Sequence, residues 1–246
     1  MKSTFQLEEL KHQAIALIKT AGFDVRSDVD VVLDEALPYM GYTTDIGGKP
    51  KIVVAEFAVK SGAALNLLVH ELSHVYRSQT GHPSHDYRLL TAMAGWVTQG
   101  KILKPYQEKI LQGILNHLQD LYADDISFAV FEKNKPQPNL NEFFLSWIQK
   151  PSTAKDPEQK AWENADAMLG ASFAQANLER HKVPDTDKKV ANAVKDFLAH
   201  VDKPLADKYA FFETFMVHLP EEVTPKEFES LLIKYLSEFL KLTKLR

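Results

Sequence analysis

Residues 51–77 read KIVVAEFAVKSGAALNLLVHELSHVYR, and a change of pattern inside this stretch sets the fold class. Lys51–Phe57 concentrates Ile and Val in a short apolar run, the composition of a strand. From Ser61 onward the spacing is helical: Leu65, Leu68, Leu72, Val75 and Tyr76 recur three and four residues apart. The pattern predicts a helix over 61–77, capped by Ser61 and stopped by Gly81 and Pro83. His70, Glu71 and His74 lie largely off the apolar stripe. The helix can therefore bury its back and turn these three residues towards a cleft.

His70-Glu71-Leu72-Ser73-His74 matches H-E-x-x-H. Positions i and i+4 of a helix project from one face about 6 Å apart, so two imidazoles there can share one Zn2+ at about 2.0–2.1 Å each. Glu71 is rotated about 100° from His70, which sets it beside such a metal as a general base. Chance would supply this pattern about 0.02 times in a chain of this composition.

Towards the N-terminus, Phe5–Ala21 is an amphipathic helix ended by Gly22, and Val29–Leu33 is a second strand-like run. Gly47 and Gly48 lie in the turn-rich stretch before Lys51, between Pro38 and Pro50, which predicts a small hairpin or short mixed sheet. Beyond residue 85 the pattern is helical: 87–98, 105–131, 142–148, 157–181, 188–200, 204–217 and 224–242 all carry helical spacing, with prolines in most of the gaps between them. The expected class is α+β, mostly α. Lys133–Asn139 (KNKPQPN) is the best internal boundary. It separates a region carrying the motif and the short strands, 1–132, from a helical region, 139–246, expected to pack on it.

Composition narrows the chemistry. Lys+Arg 29 against Asp+Glu 33 gives a formal net charge of -4, with no broad basic surface for nucleic acid. The chain has no cysteine, so thiolate zinc sites, Fe–S clusters, disulfides and cysteine nucleophiles are excluded. Any transition metal must be held by His, Asp and Glu. No apolar run is long enough for a leader or a membrane span, so the expected location is cytoplasmic, with no membrane partner.

A strand followed by an HExxH helix resembles the zincin metallopeptidases. That resemblance implies one catalytic Zn2+ on His70 and His74, Glu71 as general base, and a peptide or protein substrate lying extended along an edge strand, here Lys51–Phe57. Zincin branches differ in the third ligand. The branch with an extended HExxHxxGxxH motif needs a His where this chain has Thr80, although His82 and His85 lie nearby. The gluzincins draw a carboxylate from a later helix, and an Asp four residues further on orients a metal-bound His. Asp120-Leu-Tyr-Ala-Asp124 is similar to that E-x-x-A-D pattern, with Asp for Glu. The resemblance thus implies Asp120 as third ligand and Asp124 as acceptor for the far nitrogen of His70 or His74.

The residues leave alternatives open. On the 105–131 helix the apolar face is set by Leu111, Ile114, Leu118, Leu121, Tyr122 and Phe128. Asp125 falls within that face, with Arg77 as a counter-charge, while Asp120 lies towards the opposite side. Asp124, Asp125 and Glu163 (in Trp162-Glu-Asn-Ala-Asp166) all compete for the third position. His117 reads as a surface residue, and Tyr39, Tyr209, Arg180, His181 and His218 are candidates to stabilise an oxyanion. The expected function is a zinc-dependent peptidase. The alternative is a zincin-like protein that binds metal or a partner and does not cleave.

Overall fold

A computed structural model describes residues 2–26, 28–46, 48–133 and 140–243. The architecture is mostly helical with one small mixed sheet. Helix α1 (Lys2–Ala21) leads to β1 (Asp30–Asp34), β2 (Gly41–Ile46), β3 (Lys49–Ala55), α2 (Glu56–Lys60) and α3 (Ala64–Gln79). A short 3-10 turn, Pro83–His85, precedes α4 (Tyr87–Thr98), α5 (Pro105–Lys133) and α6 (Leu140–Leu145). Then come α7 (Pro157–Arg180), a 3-10 turn at Thr186–Lys188, α8 (Lys189–Ala199), α9 (Lys203–Ala206), α10 (Tyr209–Val217) and α11 (Pro225–Leu242).

The chain divides into two compact units, residues 1–85 with 122–138, and residues 86–121 with 139–246. In the first, α1 packs on α3 and on β1, and α3 lies against β2 and β3. Leu68, Val69, Leu72 and Val75 of α3 join Ile52 and Val54 of β3, Ala14 and Ile18 of α1 and Val130 of α5 in one buried core. Each of the Leu, Ile and Val side chains contributes about 1.5–3 kcal/mol by leaving water. In the second unit α7 is buried on most of its circumference, from Trp162 to Leu178, with α6, α8, α10 and α11 around it. Small residues and the buried Asn164, Ser172 and Asn177 are spread among its apolar ones, so burial on all sides, rather than an apolar surface, marks it as the central helix.

Several expectations are corrected. The sheet has the order β1-β3-β2, with β1 parallel and β2 antiparallel to β3. Lys51–Phe57 is therefore a central strand followed by the start of α2, and its edges are already hydrogen-bonded on both sides. It cannot receive an extended substrate, and the edges are β1 and β2. Strand β2 is hidden in the sequence because GYTTDI has little apolar alternation, its pairing being set by β3. Pro50 stands inside β3 opposite Asp45 and bounds no linker. The helix expected over 61–77 is α3, which starts later, at Ala64, and runs to Gln79, while Ser61 closes the preceding α2 as its C-cap with its hydroxyl donating to Ala58 O. The helix expected over 204–217 splits into α9 and α10. Gly47 and residues 134–139 of the expected boundary lie outside the described residues. No helix is long and apolar enough to cross a membrane among the described residues.

Candidate metal centre

Local sequence rules position α3 and the turn after it. The helix ends at Gln79 with Thr80 as C-cap. Gly81 takes φ +70°, Gly81 N–H donates to Ser78 O at 3.1 Å, and His82 N–H donates to Arg77 O at 2.9 Å. This pair of reversed bonds is a Schellman motif, in which the residue after the cap needs a left-handed backbone. It turns the chain back so that the 3-10 turn runs beside the α3 residues it has just left.

His70 and His74 are half-buried on α3, with ring centroids 4.8 Å apart and planes at 82°. Their Nε2 atoms lie 3.1 Å from each other. Asp120 of α5 completes a group with them: each of the three offers one ligand atom, all within 4.8 Å of one another. Asp124, one turn further along α5 and buried, has Oδ1 2.9 Å from His70 Nδ1. On the other side, His74 Nδ1 lies 2.8 Å from His85 Nε2. His85 Nδ1 is 2.8 Å from Ser84 Oγ, and that oxygen is 2.8 Å from His82 Nδ1. Burial holds the His85 imidazole well below the usual histidine range, reinforced by the neighbouring His74 and His82.

The seam between α3 and α5 is polar beyond these residues as well. Arg77 is buried, donates from Nε to Tyr122 O at 3.0 Å, and places its guanidinium 3.9 Å from Asp125 Oδ2. Ser73 Oγ and Ser127 Oγ are 3.3 Å apart. Asp125 thus faces its counter-charge, as a buried acid requires. Residues 121–124 and 126–128 are buried round nearly the whole helix, and the Asp124 and Asp125 side chains are buried alike.

Glu71 is only 5% exposed. Its Oε2 accepts from the Thr43 hydroxyl at 2.7 Å, and the same hydroxyl reaches Glu71 O at 3.1 Å. Edge strand β2 is thereby fastened to the motif. Glu163 belongs elsewhere: its carboxylate accepts from Ser152 Oγ and, at 2.7 Å, from Gln159 Nε2. His117 is buried, against expectation, with its ring stacked on Phe173 and edge-on to Trp147. Burial pushes it down to about 4, partly offset by Asp120. Of the oxyanion candidates, Arg180 donates to the carbonyls of Met216, Val217 and Leu219, His218 contacts Thr214 O, Tyr209 contacts Glu213, and Tyr39 packs on Tyr42. The sequence sets His82 and His85 near the motif without giving them a role; the signal is a His-Pro-Ser-His run directly after the helix stop.

The residues fit a metal. Two imidazoles and a carboxylate, with no thiolate, are a donor set for Zn2+ or another borderline divalent ion. No curated protein and no solved structure matches the chain. Residues 11–241 match a family described as a family of unknown function, DUF5781, and with nearly the whole length so matched this chain, with its His70/His74/Asp120 group, belongs to that family.

Proposed function

We propose that this chain is a metal-dependent peptidase whose centre, best suited to zinc, is built from His70, His74 and Asp120. The 3.1 Å between the two Nε2 atoms carries the reading. Two Zn–N bonds of about 2.05 Å at a tetrahedral angle hold their nitrogens about 3.3 Å apart. Three protein ligands are also the number that a hydrolytic zinc site would use. Asp120 is one methylene shorter than the glutamate of the E-x-x-A-D pattern, so α5 must approach α3 closely; the Arg77, Ser73 and Asp124 contacts are that close approach.

Held by His70, His74 and Asp120, zinc would supply a Lewis acid able to polarise a carbonyl and acidify a water near pH 7. Glu71 Oε1 would take a proton from an attacking water and give it to the leaving amine, while Thr43 holds Oε2. Asp124 fixes His70 as the Nδ1–H tautomer, leaving Nε2 as donor to the metal. An extended peptide would add to the edge strand β2, in the manner of β-augmentation. Protein purified without a histidine tag should carry about one zinc per chain by elemental analysis and cleave a peptide library until a chelator is added. Glu71→Gln should retain zinc and lose cleavage by about 100-fold or more, on the order expected for a lost general base. Full activity in that variant sinks the mechanism.

A second reading is favoured by one observation. Glu71 is nearly buried and its carboxylate is tied to Thr43, so the HExxH helix could hold metal for structure or partner binding alone. Stoichiometric zinc with no cleavage of any library peptide selects that reading.

A further inference from the structure

Beyond the ligands, the contacts from His74 to His82 form an unbroken chain whose direction can be worked out from one atom. Ser84 N–H, a backbone donor that can only donate, points to His82 Nδ1 at 3.3 Å. His82 Nδ1 is therefore an acceptor and carries no proton. The 2.8 Å contact between Ser84 Oγ and His82 Nδ1 must then use the serine proton. With that proton committed, Ser84 Oγ accepts from His85 Nδ1–H at 2.8 Å. A neutral imidazole protonated at Nδ1 has a bare Nε2 that can only accept. His85 Nε2 accordingly accepts from His74 Nδ1–H at 2.8 Å, leaving the lone pair on His74 Nε2.

On the other ligand, His70 Nδ1 donates to Asp124 Oδ1 at 2.9 Å and leaves its lone pair on Nε2 as well. The two bare nitrogens then face each other at 3.1 Å. Two lone pairs at that distance repel unless a cation lies between them. The chain of neutral groups on one side and the carboxylate on the other thus prepare the same tautomer in both ligands.

We propose that His85, oriented by Ser84 and His82, is a positioning residue that holds His74 in the Nδ1–H tautomer and so presents its Nε2 to the metal, the counterpart of Asp124 at His70. This rests on the metal reading above and deepens it. A neutral acceptor in place of a carboxylate adds no negative charge next to His74, so the centre keeps more Lewis acidity than two carboxylate partners would leave it.

The test begins with the intact, metal-stripped chain labelled with 15N at histidine. Long-range 1H–15N spectra should show His74 with a protonated Nδ1 and a bare Nε2. Zinc titration against a chromogenic chelator should then give a Kd for His85→Phe raised about 10–100-fold. His85→Gln, whose amide oxygen can stand where Nε2 accepts, should bind within about threefold of the parent; this rescue separates positioning from a general loss of packing. Visible bands of the Co2+-loaded His85→Gln protein should stay those of the parent's four-coordinate centre. A His74 Nε2–H tautomer, or a His85→Phe Kd equal to the parent's, overturns the relay while leaving the metal centre standing. A parent chain that takes up no zinc overturns both readings.

Discussion

Asp120 and Asp124 stand one turn apart on α5, yet the chemistry around them divides their tasks. Asp120 shares with His70 and His74 the cluster of ligand atoms, whereas Asp124 contacts His70 at the nitrogen that faces away from His74. Loss of a ligand removes a bond; loss of an orienting acceptor leaves the imidazole free to choose the wrong tautomer. Asp120→Ala should therefore weaken zinc binding more than Asp124→Ala, for which a loss of about 10–100-fold is expected. Glu163→Ala should leave it unchanged, since Ser152 and Gln159 occupy that carboxylate. Calorimetric titration of the three variants decides the ranking. Equal binding by Asp120→Ala and the parent would remove Asp120 from the ligand set.

Among the elements, the edge strand β2 is where fold and site are most tightly linked. A Cβ on Gly41 would lie 2.6 Å from Val53 O and 2.9 Å from Leu67 Cδ2. The carbonyl belongs to the central strand and cannot give way, so Gly41→Ala should lower stability by about 1–3 kcal/mol. It should also displace Thr43 from Glu71, and a denaturant melt run beside a cleavage assay reads both effects. In the second unit, α11 begins with a capping box: the Thr224 side chain accepts from Glu227 N–H, and the Glu227 carboxylate accepts from Thr224 N–H. The Thr224 N–H and the Thr224 hydroxyl, both donating to the carboxylate, hold the Glu227 carboxyl below its usual range. Thr224→Ala should cost about 1 kcal/mol in the same melt without changing zinc affinity. A shifted Kd would show that α11 is coupled to the centre.

For the whole molecule, stability should follow pH through two groups, one half-buried and one buried, that act in opposite senses. Burial raises Asp166 from 3.8 to about 6. Its folded form holds the proton more tightly than the unfolded chain does, so its contribution is largest below about pH 4 and is lost as pH rises through 6. His117 is depressed from 6.5 to about 4. The unfolded chain binds that proton first, so stability tied to His117 is complete above pH 6.5 and lost as pH falls towards 4. The two slopes oppose each other between about pH 4 and 6 in the parent. The difference between Asp166→Asn and the parent isolates the first: the variant should gain on the order of 2 kcal/mol at about pH 8 and almost nothing at about pH 4. A pH-independent difference in urea melts contradicts the assignment. Zinc should act on the same equilibrium by mass action, adding about 2.7 kcal/mol at roughly one hundred times its Kd. Scanning calorimetry should show that gain vanish with a chelator and in His74→Ala.

The features legible from the residues alone were local ones. The i and i+4 spacing of His70 and His74, the apolar stripe of Leu68, Leu72 and Val75, the stops at Gly22 and Gly81 and the start of α7 at Pro157 each depend on neighbours within a turn or two. Those rules are the same in any fold. The mostly helical α+β class follows from the same local periods. Long-range packing made Lys51–Ala55 a central strand, because strand order depends on pairing partners far along the chain and GYTTDI has no pattern that declares them. Packing also set Asp124 against His70, Asp125 against Arg77 and His85 against His74. An acid on a long helix has the same local signature whether it faces solvent, a guanidinium or an imidazole. The tertiary contacts choose among these, since a buried charge persists only where another element brings its partner.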